Sequence, residues 1–573
     1  ILWGRNPTVT NSHMLPSLKG KTLIVIDPVK IDLAFHAALH IQIKPRGDLY
    51  LALLLCRLVA MEEMEDQTFL QERTLNYKDY LEFINGIPMR KLLDKSHVNL
   101  DEVGELLHLV KGKKVSILVG IGVQKYSFGH SVLRAIDAFG AMLGLFGKKG
   151  CGVGYLSNSG FGFTSPFKVN AKTEPLPIVN FGKYDLVFIQ GGNPLNQMPC
   201  TSKVKEGLHK AKCVVYFGLH ENETSSKADL VIPALSFLEK EDLKLSYGHP
   251  FIGRMPKLVD GKGGISEYAL TQALLSSFGY EALASEESII EGVIASNSSE
   301  KDGFLISKTY EEYPYEKTFY TKSGKFEFLE EFDDDFDDEE GFFLIAAKQN
   351  KSLNSQFVTD DYLYVPLCLG LEQEERVRLT NRYGSAEYSV MPSAKLRDDC
   401  LLLYSGAKNA NQLTPYAMSQ EGNCATYQEM KVKLEKVIDF SKDSIKIPFE
   451  TSSVVVRNSK YARESFLKKG YDLETDNYVY DSGLSPSRAS RAYVGKTPTL
   501  LTSKRIAKYS AETKTETLLT AREYWSLMSF PADKYDLVNG EINDVHLYKI
   551  CGNSVLVLVI KEILKLNKML DKF

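Results

Sequence analysis

The sequence predicts an α/β protein: two domains built on parallel sheets and a small β-barrel after them. Three observations predict it. Short apolar runs stop twice at the same turn, ILWGRNP over Ile1–Pro7 and DLVFIQGGNPLNQMP over Asp185–Pro199, so that Gly4-Arg5-Asn6-Pro7 is echoed by Gly191-Gly192-Asn193-Pro194. Each copy continues into a helical stretch and a second apolar strand. Beyond residue 342 the pattern changes to short β runs separated by turn residues. Glycine at the carboxyl edge of a parallel sheet lets backbone approach a ligand with no Cβ in the way. Two such edges at equivalent places predict two related half-sites for one large, two-fold-like ligand.

Taken in order, the first α/β domain spans 1–150. After the Asn6 corner a helix leads to the strand Thr22–Ile26, which ends in Asp27-Pro28. The segment Leu39–Ile43 leads into Lys44-Pro45-Arg46-Gly47-Asp48 and a helix over Leu49–Glu63. The strand Val115–Val119 ends in Gly120-Ile121-Gly122-Val123-Gln124-Lys125, again glycines at a carboxyl edge. The second domain spans 151–329, where the unbroken run Leu186–Ile189 reads as a strand buried on both faces. The helix Val204–Lys210 and the strand Cys213–Phe217 follow, and Glu223 and Thr224 fall at a helix start, where a carboxylate and a hydroxyl cap free amides. His249 reads as a structural or surface histidine. The acidic run within 330–341 (EEFDDDFDDEE over Glu330–Glu340) is a solvated linker, because dense carboxylates repel and lack the spacing of a calcium loop. From 342 to 437 the runs Arg376–Thr380 and Ala386–Val390, with the turn Asn381–Gly384 between them, read as a barrel. The remainder is 438–573.

Composition bounds the function. A formal net charge of -4 argues against a broadly basic nucleic-acid surface. The 8 cysteines include no C-x-x-C and read as reduced, mostly buried thiols of a cytoplasmic protein. No apolar run reaches membrane-spanning length, so no membrane segment is expected. Ile1 starts inside a predicted buried strand with no Met, so the chain reads as N-terminally truncated; periplasmic export by a signal upstream stays open beside the cytoplasmic reading.

With these pieces in order, residues 1 to about 435 resemble the molybdopterin oxidoreductases of the dimethyl sulfoxide reductase and formate dehydrogenase superfamily. The phrases that carry the likeness are ILWGRNP, VIDPVK, KPRGDLYLAL, GIGVQKYSFG, IQGGNP, HENETSSKADLVIPALSFLEKED, SGKFEF, SLNSQF, RVRLTNRYGSAEYSVMPS and NANQLTP with Tyr427. The resemblance implies two Rossmann-like domains, a six-stranded, double-psi-like barrel, and a molybdenum or tungsten ion between two pterin guanine dinucleotides. It implies that Gly4, Asn6 and Asp27 with Gly47 and Asp48 line one dinucleotide. Gly192, Asn193, Glu223, Thr224 and Asp229 would line or support the other. Gly120, Gly122 and Gln124 would run under the pterins, and Lys348, Asn354, Ser355, Asn411, Thr414 and Tyr427 would touch the cofactor from the barrel. It further implies two-electron chemistry on a small-molecule redox substrate and an iron-sulfur electron-transfer partner. No catalytic or metal-ligating residue is assigned, because the family's iron-sulfur motif and metal ligand precede the first Gly-x-Asn-Pro turn and this chain does not encode them. Turnover by this chain alone is therefore not expected. Lys44-Pro45-Arg46-Gly47-Asp48 departs from the family's Pro-Gly-Thr-Asp order.

A different likeness begins beyond Val437. Lys496–Leu500, then LLTAREYWSLMSFP over Leu518–Pro531, and LYKICGNSV over Leu547–Val555 resemble the last motifs of DNA cytosine-5 methyltransferases, which implies a small α+β methyltransferase-like tail from about Lys446. That family flips its base, attacks it with a cysteine thiolate and holds S-adenosylmethionine on a glycine-rich strand end. Neither a donor loop nor a Pro-Cys nucleophile loop in context is present, so S-adenosylmethionine is unlikely as a cofactor and DNA is a partner only through the tail. Two alternatives stand beside the oxidoreductase reading: a DNA methyltransferase remnant, and a non-catalytic structural or electron-transfer subunit. The origin of the junction near residue 437 is open between fusion, decay and a sequence artefact.

Overall fold

The computed structural model describes residues 1–155, 167, 171–246, 249–261, 263–329, 331–332, 340–350, 352–358, 360–437, 467, 478–481, 506–510 and 515–519. These fall into two compact units, 1–437 and 438–573. Most of the acidic run and of the three methyltransferase-like phrases lies outside the described residues.

The first sheet is made of very short apolar strands: β1 (Leu2–Trp3), β2 (Ile24–Ile26), β3 (Leu39–Ile41), β4 (Ser116–Val119) and β5 (Gly152–Tyr155). All neighbours pair parallel, in the order β3-β2-β1-β4-β5. The chain thus builds outward from β1 in one direction and then, through β4, in the other. The carboxyl ends of β1 and β4 are the point where the strand order reverses, which is where open parallel sheets form their ligand crevice. Helix α1 (Asp48–Met61) is apolar on nearly every side and is buried from Asp48 to Cys56, as befits a helix wrapped by other elements rather than lying on a surface. It packs with α2 (Gly129–Met142) against Trp3, Ile26 and Ile41 in one core.

The second sheet runs β6 (Leu186–Gln190), α3 (Thr201–Lys210), β7 (Cys213–Gly218) and β8 (Leu230–Pro233), with parallel neighbours in the order β6-β7-β8. The reading of Leu186–Ile189 as buried on both faces is corrected here. Val187 and Ile189 pack beneath Val204 and Leu208 of α3, but Leu186 is 59% and Phe188 45% exposed on the other face. An apolar run reports that a strand can be covered on both sides, not that it is; β6 is the outer strand of this sheet, and β7 is the one buried from Val214 to Phe217.

The barrel closes from six strands, β9 (Phe342–Ala347), β10 (Leu363–Pro366), β11 (Arg376–Asn381), β12 (Gly384–Ser393), β13 (Cys400–Tyr404) and β14 (Lys431–Lys436). Their order around it is β9-β13-β10-β12-β11-β14, with parallel and antiparallel neighbours mixed. Alternation divides its apolar residues between two cores. Leu344, Leu363, Val377, Leu379, Val390, Leu401 and Leu403 fill the interior. Phe343, Ile345, Cys400 and Leu402, of opposite parity, pack outside with Val29 of the first domain. The second unit contains a three-stranded antiparallel sheet, β15 (Tyr478–Asp481), β16 (Ile506–Ser510) and β17 (Thr515–Leu518).

Candidate functional site

The two corners have nearly the same backbone. Gly4 and Gly191 sit at φ 60° and 62°, a left-handed conformation that glycine adopts without strain. Gly4 N donates to Ile26 O and Gly191 N to Phe217 O, each at 2.8 Å, tying the corner to the next strand. Pro7 and Pro194 each open a four-residue helix, where a missing N–H costs nothing. By this geometry the counterpart of Gly4 is Gly191, and Gly192 stands opposite Arg5, so the structure adds Gly191 and Arg5 to the residues expected from the sequence.

The first corner lies at the reversal of strand order. A Cβ on Gly120 would sit 1.8 Å from Gly4 O, and one on Gly4 would sit 2.8 Å from Val123 Cγ1, so the β1 and β4 loops meet through glycine backbone. Arg5 is 8% exposed, and among the described residues its guanidinium has no ion pair and no hydrogen bond. Burial lowers its pKa. Asn6 accepts from Thr8 Oγ1 at 2.5 Å, while its amide nitrogen has no partner among the described residues. Asp27 Oδ1 accepts from Val29 N at 2.9 Å; burial first, with nearby Asp48 adding to it, pushes its carboxyl up to about 7. Asp48 is held by Trp3 Nε1 at 2.7 Å and is pushed up by burial to about 6, so its position is set from the core. Gly47 is needed for packing, since a Cβ there would meet Lys44 O at 2.8 Å and Ser96 Cα at 2.9 Å. Arg46, one residue earlier, takes φ 68° and is held by ion pairing to Glu429 and by its N–H donating to Tyr126 Oη at 3.3 Å.

At the second corner the asparagine is fully engaged. Asn193 Nδ2 donates to Glu223 Oε2 at 2.7 Å and to Ser355 Oγ at 3.0 Å, and Oδ1 accepts from Thr224 Oγ1 at 2.8 Å. Thr224 Oγ1 in turn accepts from Leu195 N at 3.1 Å. The expected cap is therefore reassigned: the short 3₁₀ turn Ser225–Lys227 is capped by Asn222, whose Oδ1 accepts from Thr224 N and Ser225 N, both at 2.9 Å. This frees Glu223 and Thr224 to hold Asn193. Barrel loops clamp the same corner. Asn411 Nδ2 donates to Asn196 O at 2.6 Å, Thr414 Oγ1 accepts from Cys200 N at 2.9 Å, and Tyr427 Oη donates to Gln197 O at 2.6 Å. Asp229 is not brought to this cluster. It accepts from Val214 N at 2.7 Å, at the amino ends of β7 and β8, across the sheet from the corner.

Between the corners lie Gly122, Gln124 and Lys125 of the β4 loop and Lys348, Asn354 and Tyr427 of the barrel. Gln428 N donates to Lys125 O at 3.0 Å, and Lys125 Nζ lies 5.0 Å from the centroid of the Tyr427 ring. Lys348 Nζ donates to Asn354 Oδ1. Burial, and after it the charge of Lys348, holds the Lys125 ammonium below its ordinary pKa. A continuous path of contacts thus runs from Gly4 through Gly120 and the β4 loop to Tyr427, Gln197 and Asn193. Among the described residues no three His, Cys, Asp or Glu side chains gather as a metal-holding group. Glycine-lined strand ends, amide donors and cations without counter-charge do fit the diphosphate tails of a dinucleotide.

Residues 1–269 match the family model of molybdopterin oxidoreductases, and 403–568 match that of C-5 cytosine-specific DNA methylases. The second match begins inside β13, yet residues 403–437 pair with the barrel and belong to the first compact unit. The chain is 27% identical over 360 residues to the probable oxidoreductase YyaE of Bacillus subtilis, covering 57% of this chain and 54% of that protein. It is 26% identical over 506 residues to the probable oxidoreductase YoaE of the same organism, covering 76% of this chain and 74% of that one. The chain thus spans about half of one relative and about three quarters of the other. Among solved structures, acetylene hydratase from Pelobacter acetylenicus superposes with a TM-score of 0.61 at 14% identity, over 76% of this chain and 78% of that one, a likeness of fold. Among the described residues no helix is long and apolar enough to cross a membrane.

Proposed function

Since the chain joins a molybdopterin-oxidoreductase-superfamily domain to a C-terminal cytosine-5 methyltransferase-like region, we propose that residues 1–437 are a scaffold that grips the two guanine dinucleotide tails of a molybdenum or tungsten bis-pterin cofactor. The observation that carries this is Arg5: a guanidinium buried at the reversal of strand order, with no counter-charge among the described residues, beside the Gly4–Gly120 contact where the β1 and β4 loops meet through backbone. A buried cation is costly unless an anion faces it, and a diphosphate is such an anion.

In this reading Gly4, Arg5 and Asn6 receive one tail, with Asp27 beside them, while Gly47 and Asp48 hold the wall behind. Gly191, Gly192 and Asn193 receive the other, with Glu223, Thr224 and Ser355 fixing the asparagine and Asp229 holding the far end of the sheet. Gly120, Gly122 and Gln124 pass between them, and Lys348, Asn354, Asn411, Thr414 and Tyr427 close the barrel over the junction. The bound group would supply two-electron redox chemistry on a small substrate. The chain's own residues bind and orient it.

The test is to purify the full chain from a pterin-competent host, then measure metal by mass spectrometry and pterin by fluorescence of its oxidised form. Pterin and guanine nucleotide together with molybdenum or tungsten are expected. A protein free of all of them would overturn the reading. The match over 403–568 supports a second, narrower reading, that the tail is a methyltransferase remnant that touches DNA without modifying it. Methyl transfer from labelled S-adenosylmethionine to DNA is expected to be undetectable, and a robust signal would refute the remnant.

A further inference from the structure

The two parallel sheets differ at the strand that carries the corner. In the first, β1 is paired on both sides, with β2 and with β4. In the second, its counterpart β6 pairs with β7 alone, so among the described residues one edge of β6 is bare. The ladder fixes which groups face that edge. Cys213 N donates to Asp185 O at 3.0 Å and Gly191 N to Phe217 O at 2.8 Å, so the backbone of the odd-numbered residues is turned to β7. Alternation then turns the N–H and C=O of Leu186, Phe188 and Gln190 to the bare edge.

Nothing in β6 guards that edge. Its sequence, LVFIQ, has no charge and no proline, the devices that keep an open strand from pairing. The other outer strands of the two sheets are blunted. β3 is only three residues long, β5 contains Gly152 and Gly154, and β8 ends in Pro233, whose carbonyl accepts from Ile265 N at 3.0 Å. LVFIQ is also complementary to itself when run antiparallel. A two-fold axis at Phe188 sets Phe188 against the partner's Phe188 and Leu186 against the partner's Gln190. These are the outward-facing residues, so each bare N–H meets a bare C=O. On the exposed face the two Phe188 rings become a cross-strand aromatic pair, and on the other face Val187 stands opposite the partner's Ile189. The flanking Asp185 is already paired with Lys212 at 2.7 Å and falls opposite the partner's Gly191, so no like charges are brought together.

We propose that β6 is a dimer edge: two copies of this chain join β6 to β6, antiparallel about Phe188, and make one continuous sheet from their two second domains. The partner's strand takes the side of β6 that β4 takes of β1. A symmetric pairing of this kind needs no second protein, because the same surface serves both sides. The proposal goes beyond the cofactor reading and does not rest on it. A five-residue edge buries less than a standard interface of about 1,200 Å² or more, so a weak dimer is expected, half formed on the order of 10 to 100 μM.

Sedimentation velocity of the full chain over a concentration series that brackets this range tests it, and a monomer–dimer equilibrium is expected. Phe188→Lys, which sets two ammonium groups face to face across the axis, is expected to raise the Kd about tenfold or more. Phe188→Pro removes an outward N–H, spares the bonds to β7 and is expected to do the same. Leu230→Ser changes an exposed residue of β8 in line with Phe188 but away from the edge, and is expected to leave the Kd unchanged. The unchanged chain supplies a readout that no variant can spoil: amide hydrogen exchange at Leu186, Phe188 and Gln190 should slow as concentration rises. A chain that stays monomeric, or a dimer that both Phe188 variants leave intact, overturns the edge. So does a dimer that Leu230→Ser weakens as much, which would mean that the sheets stack by their faces. Amides protected equally at every dilution overturn it too, since another strand of the same chain would then hold the edge.

Discussion

At the first corner Asn6 has an amide nitrogen with no partner among the described residues, and Arg5 is buried beside it without a counter-charge. At the second, Asn193 is 4% exposed and its side chain bonds to Glu223, Ser355 and Thr224. The backbones match from glycine φ to proline, so the difference lies in what the rest of the chain has placed around them. The first corner keeps donors in reserve. The second uses its asparagine to lock the barrel loop onto the α/β body. One motif therefore serves two ends, and a residue's place in a motif does not tell which groups remain available.

The comparison breaks most sharply at the middle glycines. Gly120→Ala drives a Cβ to within 1.8 Å of Gly4 O and can be met only by moving backbone, so a loss of about 3 kcal/mol or more is expected in urea unfolding. Gly192→Ala meets nothing closer than 3.8 Å and is expected to cost under about 1 kcal/mol. Equal losses would show that the corners are not as different as their contacts. Asn193→Ala strands Glu223, Thr224 and Ser355 and should cost about 3 kcal/mol, whereas Asn6→Ala, which removes one hydroxyl contact, should cost about 1 kcal/mol or less. Chemical denaturation of both variants without ligand measures the contrast.

Arg5→Met sharpens it from the other side. Removing a buried charge with no partner is expected to stabilise the unloaded protein by about 1 to 2 kcal/mol and to reduce the pterin retained on purification. A destabilised variant would mean that Arg5 is a packing residue. The smallest effect is in pH. Asp27 and Asp48 have folded-state pKa values raised to about 7 and about 6, above the unfolded value of about 4. The folded state then holds protons that the unfolded state has released, so their contribution is fully present below about pH 4 and is lost as pH rises through 6 to 7. Asp27→Asn should flatten that decline in melting temperature between pH 5 and pH 7.5, and an unchanged slope would show that Asp27 is ordinarily ionised.

Much of the fold was legible because its signals are local. Glycine at a strand end, proline at the first helical position and alternating β runs each act within a few residues, and they locate the corners, the β4 loop and the barrel. What was not legible depends on a partner distant in sequence. Leu186 and Phe188 read as core because nothing in an apolar run says which face will be covered. Thr224 read as a cap because its bond to Asn193 crosses two elements, and the cap that Asn222 supplies was not singled out. Asp229 stands at the amino end of its strand, where it accepts from Val214 N, a matter of direction that composition does not encode.

The order in which the barrel's strands leave the ribosome sets when the barrel can close. β14, the last of them, pairs with both β9 and β11, and Val437 N donates to Arg376 O just beyond it. Until Lys431–Lys436 has emerged, two strand edges stand open and invite pairing with other chains. A shortened gene that discards the C-terminal unit must therefore keep every codon through 437, and one that stops at the start of the methylase match, at 403, would yield an open, sticky sheet in place of a closed barrel.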